Sequence, residues 1–338
     1  FFISFLFPNA DKINLITTND IHGNISSQFA YFMNPQYPPH IIGGAALSNY
    51  LEKLKKESNN ILLLDGGNFF QGSPLGMIDS GKTMIKWFNR LGYDALVPGQ
   101  YDFIFGLSNL NQLADMANFS FVAANIECIN CSLISKNIKP YIIKEVNGIK
   151  IAILGIVNSN IPDFTLSENI NGINFQNGYE ALQEWIPKIN DLNPDLIVIL
   201  TSSGVPYDRD RKYTDFIKKN QIPIHLNAIE LGYYAKGADL VVSGGVSKGY
   251  PQPWYDPYSH VYTFQNYGNG SEFAHIILNI GFDNDNNVVF KGYDTAVDGR
   301  IGQTLLSDDF SFNFNDKKWI DSLHTIALEK TYFPQIKK

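Results

Sequence analysis

Short apolar runs alternate with amphipathic stretches along most of the chain. The apolar runs have the length and composition of β-strands and lie at residues 13–18, 61–65, 119–124, 149–157, 195–201 and 239–243. The stretches between them carry helical spacing at residues 45–57, 81–91, 107–117, 179–186 and 208–219. This alternation predicts an α/β protein with largely parallel strands.

The pattern changes after Gly249. A segment rich in Tyr and Pro is followed by alternating positions that predict strands at 260–265, 272–282 and 287–293, with a turn at 283–286. We expect these strands to be antiparallel and to complete a second sheet. A last helix is predicted over 316–329. No repeat or linker divides the chain, so we expect one domain at 11–315, preceded by a short segment at 1–10 and followed by a helix and tail at 316–338.

Composition narrows the class of protein. Of 338 residues, 44% are apolar and 17% charged, which excludes a disordered or fibrous chain and allows a sizeable core. The net charge is −7 and no basic block occurs, which argues against a nucleic-acid partner. Asn, Tyr and Phe are abundant, a surface composition that favours protein partners or self-assembly.

Several features predict an extracellular or cell-surface protein. Residues 1–10 are either the remnant of a signal peptide or an N-terminal extension that stays in the mature chain. No later apolar run reaches the roughly 20 residues of a transmembrane helix. Four Asn-x-Ser sequons, at Asn24, Asn118, Asn130 and Asn269, predict N-glycans.

The two cysteines, Cys128 and Cys131, are three residues apart. This spacing allows a redox pair, half of a zinc site or a local disulfide. No second pair completes a zinc site, and the preceding residues have the pattern of a strand and loop. We therefore expect a structural disulfide with a small effect on stability.

Polar and glycine-rich loops follow most of the predicted strands, at 19–23, 65–72, 99–103, 201–204 and 244–248. In doubly wound sheets this is the edge where ligands bind. Two glycine pairs, Gly66-Gly67 and Gly244-Gly245, could hold an anion through backbone amides, although tight turns explain these glycines as well.

These loops resemble the motif series of the calcineurin-like metallophosphoesterases, most closely the amino-terminal domain of the secreted 5'-nucleotidases. The resemblance is carried by Thr-Asn-Asp-Ile-His-Gly at 18–23, Gly-Gly-Ala-Ala-Leu at 43–47, Leu-Leu-Asp-Gly-Gly at 63–67, Phe-Gln-Gly at 70–72 and Leu-Gly-Tyr-Asp-Ala at 91–95. It extends from Ile13 to about Gly302. It implies a four-layer α/β/β/α sandwich of two mixed sheets, and a cleft in which two metal ions activate water.

The resemblance fails at most of the positions where that family has metal ligands. Asp20 and His22 of the first loop remain. The other positions hold Asn68 in place of the bridging Asp, Gln100 and Tyr101 in place of Asn-His, Ser202 (or Ser203 in a shifted register) in place of a strand-end His, and Val246 and Lys248 in place of two further His. A neutral amide cannot bridge two dications, so we expect neither a dinuclear centre nor a cofactor. The alternative is one weakly bound divalent ion on Asp20 and His22.

These substitutions lead to the expectation of a secreted, catalytically inactive 5'-nucleotidase-like domain with a binding or structural role. We expect no catalytic residue, and we expect Lys248 to pair with Asp20 and fill the empty metal site. The alternative is an active metal-dependent phosphoesterase with an unconventional site. A third possibility is an anion or nucleotide binder.

Overall fold

The computed structural model describes residues 12–131, 135–284, 287–297 and 299–332. Its strands, in chain order, are β1 (Lys12–Thr18), β2 (Gln28–Phe29), β3 (His40–Ile41), β4 (Ile61–Asp65), β5 (Ala95–Leu96), β6 (Ser120–Val122), β7 (Ile126–Cys128), β8 (Ile138–Lys139), β9 (Tyr141–Val146), β10 (Ile149–Ile156), β11 (Ile173–Phe175), β12 (Leu196–Thr201), β13 (Leu240–Ser243), β14 (Trp254–Tyr255), β15 (Tyr262–Phe264), β16 (Glu272–Phe282), β17 (Val288–Thr295) and β18 (Gly302–Thr304). Its α-helices are α1 (Gly44–Glu57), α2 (Pro74–Met77), α3 (Lys82–Leu91), α4 (Gly106–Met116), α5 (Gly178–Asn190), α6 (Arg209–Lys219), α7 (Ala228–Tyr234) and α8 (Phe314–Tyr332).

Two mixed sheets contain most of these strands. The first has the order β17-β16-β1-β4-β5-β6-β8, with β18 also paired to β16, and the second has the order β14-β15-β13-β12-β10-β9. In the first sheet β1, β4, β5, β6 and β8 run parallel, while β16 pairs antiparallel with β1. In the second sheet β10, β12, β13 and β15 run parallel. The carboxyl ends of these parallel strands form the edge where the candidate site lies.

Side chains that alternate along β10 show how the layers stack. Ile151 and Ile153 belong to the large core that also contains residues of the first sheet, such as Leu15. Ala152 and Leu154, on the other face, belong to a second core with Leu182 of α5. A strand buried on both faces needs an apolar residue at every position, which explains the continuous apolar run of this segment. The predicted α/β/β/α sandwich is confirmed.

The strands after Gly249 correct one prediction. β16 and β17 are antiparallel, as expected, but they lie in the first sheet, where β16 pairs along β1, and not in the second sheet. β15 does join the second sheet, but it runs parallel to β13. The alternating pattern identified the strands, but it carries no information on which neighbour each strand pairs with.

Several short elements have no counterpart in the sequence-based prediction, and β9 and α7 are the longest of them. β9 forms an antiparallel hairpin with β10, and α7 packs on the second sheet. The side chain of Asn227 accepts hydrogen bonds from the backbone N–H groups of Ile229 and Glu230, and the Glu230 side chain accepts one from the Asn227 N–H. This capping box was a readable sequence signal for α7. Residues 1–10, and part of the turn predicted at 283–286, lie outside the described residues.

A buried histidine links the first sheet to α1. His275 of β16 contacts the Tyr50 hydroxyl through Nδ1 at 2.6 Å and the Asn14 Oδ1 through Nε2 at 2.9 Å. Burial lowers the pKa of His275 from 6.5 to about 4. Because Asn14 Oδ1 can only accept, the neutral ring donates its Nε2 proton there and accepts the Tyr50 hydroxyl proton at Nδ1.

We predict that His275 makes the fold sensitive to acid. The unfolded chain binds a proton at His275 near pH 6.5 and the folded chain only near pH 4, so its stabilising contribution is complete above pH 6.5 and is lost as the pH falls to about 4. The loss amounts to about 3 kcal/mol of unfolding free energy. Urea unfolding of wild type and His275→Gln across this range checks it. An unchanged difference between the two proteins would contradict the prediction.

Candidate functional site

The loops after β1, β4, β12 and β13 meet at one edge of the sandwich. Within the first sheet, the Asp20 N–H donates to the Gly67 carbonyl at 2.8 Å. The two sheets approach each other closely where the loops contain paired glycines: a Cβ on Gly66 would lie 2.7 Å from the backbone nitrogen of Gly244. Close backbone approach therefore accounts for the Gly-Gly pairs without an anion.

Asp20 lies at the centre of this edge and is 1% exposed. Its Oδ1 accepts a hydrogen bond from Asn68 Nδ2 at 2.8 Å. Its Oδ2 accepts from Asn19 Nδ2 at 2.8 Å and from the Gly245 N–H at 2.9 Å. Each carboxylate oxygen of Asp20 is therefore already held by an amide donor.

His22 lies beside Asp20 and keeps one ring nitrogen available. Its Nδ1 is 2.7 Å from the Gln71 carbonyl, which can only accept, so Nδ1 carries the proton and Nε2 carries a free electron pair. That Nε2 is 3.9 Å from Asp20 Oδ1. The Tyr101 ring meets the imidazole edge to face, with centroids 5.7 Å apart. This arrangement provides a base, an acid after protonation, or a metal ligand.

The backbone at three of these positions is left-handed. Asp20, His22 and Asn68 have φ values of 49°, 55° and 56°. Asp, Asn and His are the non-glycine residues that tolerate this region best. Such backbone conformations cost conformational energy and concentrate at functional sites, where they fix the direction of a side chain. Here all three residues lie at the shared edge of the strand-end loops.

Asn68 links the first loop to the third. Its Nδ2 donates to Asp20, and its Oδ1 accepts from the Tyr101 N–H at 3.0 Å. Asp102 anchors the backbone of this region, since its carboxyl accepts from the N–H groups of Asn68, Phe69 and Gly99 at 2.7 to 3.0 Å. The position of Asn68 therefore depends on a carboxyl that lies outside the predicted ligand set.

Three buried carboxyls lie around this edge. Burial raises the pKa of Asp20, although hydrogen bonds from Asn68 and Asn19 oppose it. Burial also raises the pKa of Asp102 to about 7 and that of Asp65 well above its usual range. Within the described part of the chain, neither Asp65 nor Asp102 forms an ion pair. Burial therefore favours the neutral form of Asp65 and Asp102, so the site carries less negative charge than three ionised carboxylates would give it.

The structure corrects the prediction for Lys248. Its ammonium lies 5.2 Å from the Tyr207 ring and 5.5 Å from the Tyr250 ring, a pair of cation–π contacts. Asp20 is held by neutral amides instead, so the predicted Lys248–Asp20 pair is wrong. The faces of these rings carry partial negative charge and attract the ammonium while Lys248 stays only half-buried. This arrangement costs less free energy than burying the charge beside Asp20.

Other predicted positions also point elsewhere. Ser202 Oγ donates to the Pro98 carbonyl at 2.9 Å, and a Cβ on Gly204 would lie 2.5 Å from a methyl of Val246. Gln100 is half-buried, and its carbonyl accepts from Thr165 Oγ1 at 3.5 Å. The structure thus brings Asp20, His22, Asn68 and Tyr101 together, and gives Ser202 and Val246 packing or loop contacts.

The donor set does not fit two metal ions. A dinuclear centre needs a bridging carboxylate and several further anionic or imidazole ligands. Here the bridging position is the Asn68 amide, and both Asp20 oxygens are hydrogen-bonded. Among the described residues no group of three or more His, Cys, Asp and Glu side chains is arranged to hold an ion.

The predicted modification sites lie in two settings. Asn118 and Asn130 are exposed, whereas Asn24 and Asn269 are half-buried beside the site, where the Asn269 N–H donates to the Asp20 carbonyl at 2.7 Å. Glycosylation at all four stays a prediction. The structure joins Cys128 and Cys131 in a disulfide, as expected.

Comparisons with known proteins explain the retained framework. The chain is 28% identical over 283 residues to the snake venom 5'-nucleotidase of Gloydius brevicauda, a match that covers 82% of this chain and 46% of the relative. The 5'-nucleotidases of Vibrio cholerae and Rattus norvegicus are each 29% identical to this chain, over 198 and 210 residues, which are 57% and 60% of this chain and 34% and 36% of the relatives. A scan against models of protein families gives no match.

Solved structures share the fold. A 5'-nucleotidase precursor from Thermus thermophilus superposes with a TM-score of 0.73 over 95% of this chain and 59% of that one, at 18% identity. A calcineurin-like phosphoesterase from Bacillus subtilis gives a TM-score of 0.72 over 95% of this chain and 99% of that one, at 22% identity. These likenesses establish a metallophosphoesterase-like fold.

The comparisons overturn one prediction about function. We expected a protein without enzymatic activity, but the relatives found by sequence are named as 5'-nucleotidases, which points to an enzyme family. Loss of ligand residues was therefore too narrow a basis for that expectation. The chain spans about a third to a half of the length of the curated relatives it matches.

Sequence reasoning overlooked the Asn19 amide and the Asp102 carboxyl, and it did not identify the Asp20 carboxylate as the anion that the Gly245 N–H holds. Asn19 adjoins Asp20 and could have been considered as its partner. Asp102 follows Gly99 by three residues, the spacing at which a carboxyl caps a tight turn. The Gly245 contact joins the two sheets, and no local pattern encodes it.

Proposed function

We propose that this chain is a phosphoesterase that acts on phosphate monoesters at the strand-end site of Asp20 and His22, with a set of side chains that does not suit two metal ions. The observation that carries the proposal is the free Nε2 of His22 beside Asp20, in a loop that keeps the motif of the 5'-nucleotidases. Nucleoside monophosphates are the first substrates to test, because of those relatives' names.

His22 supplies the proton transfer in this proposal. Its Nε2 takes a proton from the attacking water and returns it to the leaving alcohol oxygen, while phosphorus exchanges its ester bond for a bond to the water oxygen. Asp20, 3.9 Å away, stabilises the imidazolium that forms between these steps. The Tyr101 hydroxyl, on a ring 5.7 Å from His22, is suited to donate a hydrogen bond to a phosphate oxygen.

We predict that His22→Asn lowers kcat/KM for phosphate release by about 100-fold or more, the usual effect of losing a positioned base. Asn tolerates the left-handed backbone that His22 adopts, so the loop should fold. The measurement is release of inorganic phosphate from 4-nitrophenyl phosphate and a nucleoside 5'-monophosphate. His260→Asn is the matched control, because His260 also has a positive φ, of 65°, and is exposed away from the site.

Metal dependence forms a second arm of this experiment. Turnover that survives EDTA supports proton transfer by His22 alone. Turnover that needs added Mn²⁺ or Zn²⁺, with one ion bound per chain and lost in Asp20→Ala, supports the single-ion alternative. Phosphate release that is equal in wild type and His22→Asn, with and without metal, would overturn the proposal.

We also propose that the protein is secreted and glycosylated. The disulfide, whose Cys128 is exposed, and the exposed asparagines Asn118 and Asn130 of two sequons support this location. Within the described residues, no helix is both long and apolar enough to cross a membrane. A mass shift on treatment with peptide N-glycosidase tests glycosylation, and its absence would contradict it.

Protein partners or self-assembly are a further part of the proposal. The segment around β2 and β3 exposes five large apolar side chains, Phe29, Tyr31, Phe32, Met33 and Tyr37. Residues 21–51 contain no Asp, Glu, Lys or Arg. An exposed, uncharged aromatic surface is typical of a contact region.

A further inference from the structure

A second group of reactive side chains lies outside the Asp20–His22 site. Ser159 follows β10, Asp163 ends a short 3₁₀ turn at Ile161–Asp163, and His225 precedes α7. Ser159 Oγ is 2.9 Å from His225 Nδ1. The other ring nitrogen, Nε2, is 3.8 Å from Asp163 Oδ2. A hydroxyl, an imidazole and a carboxylate therefore lie in line.

This line has the order required for an activated serine. When Nε2 carries the ring proton toward Asp163, Nδ1 is free to accept the Ser159 proton. Either ring nitrogen can act as the base, provided that the other is protonated. The 3.8 Å separation is longer than a hydrogen bond, but such contacts are commonly loose without substrate and tighten when it binds.

Ser159 and His225 open into a cleft of about 500 Å³. Its walls are mainly apolar and include Phe175, Tyr179, Ile222 and Ile224, and Glu180 lies at its edge. Ser159 is 9% exposed, whereas the His225 side chain is 39% exposed, so the imidazole is accessible from solvent. The cleft is large enough for a small organic ester.

We propose that Ser159, His225 and Asp163 form a second hydrolytic site, which cleaves carboxylic esters. Ser159 Oγ bonds to the ester carbonyl carbon as its proton passes to His225 Nδ1. That proton then goes to the leaving alcohol as the ester C–O bond breaks. Water next attacks the acyl carbonyl carbon and gives a proton to His225 Nδ1. The bond between that carbon and Ser159 Oγ then breaks, the proton passes from His225 to Oγ, and the carboxylic acid leaves.

The charges around this cleft select the substrate class. Asp163 and Glu180 contribute negative charge, and the lining residues include no Lys or Arg among those that the structure describes. A phosphate ester would be repelled, whereas an uncharged ester with a short apolar acyl group suits the Phe175 and Ile222 walls. This activity is therefore distinct from the phosphoesterase function proposed above.

The test combines hydrolysis of 4-nitrophenyl acetate and butyrate with labelling by a fluorophosphonate. We expect a stoichiometric adduct on Ser159, and a loss of ester turnover of at least about 100-fold in Ser159→Ala and His225→Asn. Asp163 is a positioning residue, so Asp163→Asn should lower kcat while KM is unchanged, and Asp163→Glu should recover most of that loss. Ser322→Ala and His260→Asn are controls that should leave ester turnover unchanged.

Two outcomes would overturn the proposal. In the first, the fluorophosphonate labels other residues and not Ser159. In the second, Ser159→Ala and His225→Asn hydrolyse the esters at the wild-type rate. Thermal melts of each variant show whether it folds, and labelling of the wild type gives an answer even where a variant does not. The two sites are separable, because Ser159→Ala should keep phosphate release and His22→Asn should keep ester hydrolysis.

Discussion

Replacing Asn68 by Asp is expected to lower the melting temperature by roughly 10 °C at neutral pH in EDTA. Asn68 Nδ2 lies 2.8 Å from Asp20 Oδ1, and both residues are at most 1% exposed. The change exchanges a hydrogen bond for two buried carboxylates in contact. Two such groups cannot both ionise without a cation between them, so they must share a proton or separate. Scanning calorimetry measures the effect.

Divalent metal should reverse this loss in Asn68→Asp only. The introduced carboxylate would restore a bridging ligand beside Asp20 and His22, and binding to the folded chain alone raises stability by about 2.7 kcal/mol at a hundredfold excess over Kd. The matched control is Asn125→Asp. Asn125 is also fully buried, but it donates to the carbonyls of Val157 and Gln176, where no carboxylate lies. An equal effect of Mn²⁺ or Zn²⁺ on both variants would contradict the prediction.

Most of the fold could be predicted because burial determines the local pattern. β4 has its predicted bounds, and β10 ends one residue before the predicted end, since a strand covered on both faces must be apolar throughout. Sheet membership could not be predicted in the same way. β16 has the alternation of a half-buried strand in any sheet, and its place beside β1 depends on contacts more than 250 residues apart.

The candidate site was predictable to the extent that strand ends determine it. Parallel strands of one sheet end at a common edge, which brings Asp20 and Asn68 together whatever their chemistry. The partner of Lys248 could not be found this way. Charge alone predicted an ion pair between Lys248 and Asp20. In the structure Lys248 contacts two tyrosine rings, and Asp20 accepts hydrogen bonds from three neutral donors, so no ammonium is buried beside the carboxyl.

The comparisons show that the loss of metal-ligand residues does not by itself indicate the loss of enzymatic function. Asn68 and Gln100 remove the ligands that two ions need, yet the relatives found by sequence are 5'-nucleotidases. The remaining chemistry is that of His22, whose Nδ1 contact with the Gln71 carbonyl fixes the tautomer with a free Nε2. A ligand that has lost its metal keeps this geometry and can act as a base. Tests of phosphate release with and without metal therefore decide the mechanism.

Asp102→Ala is expected to destabilise the protein by about 4 kcal/mol or more. The carboxyl accepts hydrogen bonds from three backbone N–H groups, of Asn68, Phe69 and Gly99, and each buried donor left without a partner costs about 1–3 kcal/mol. Urea unfolding measures the change. Asp239→Ala is the matched control, because Asp239 is a largely buried carboxyl that accepts from the Ile197 N–H at a strand start. A loss no larger than that of the control would contradict the prediction.

The pH dependence of Asp102 should run opposite to that of His275. Burial raises the pKa of Asp102 from 3.8 to about 7, so the folded chain holds this proton more tightly than the unfolded chain does. Its contribution is therefore greatest below about pH 4, falls by about 4 kcal/mol as the pH rises to about 7, and is constant above that. Asp102→Asn, which cannot ionise, should remove this slope and leave the acid-side loss due to His275. A wild-type curve and an Asp102→Asn curve that stay parallel from about pH 4 to 8 would show that Asp102 is ionised throughout.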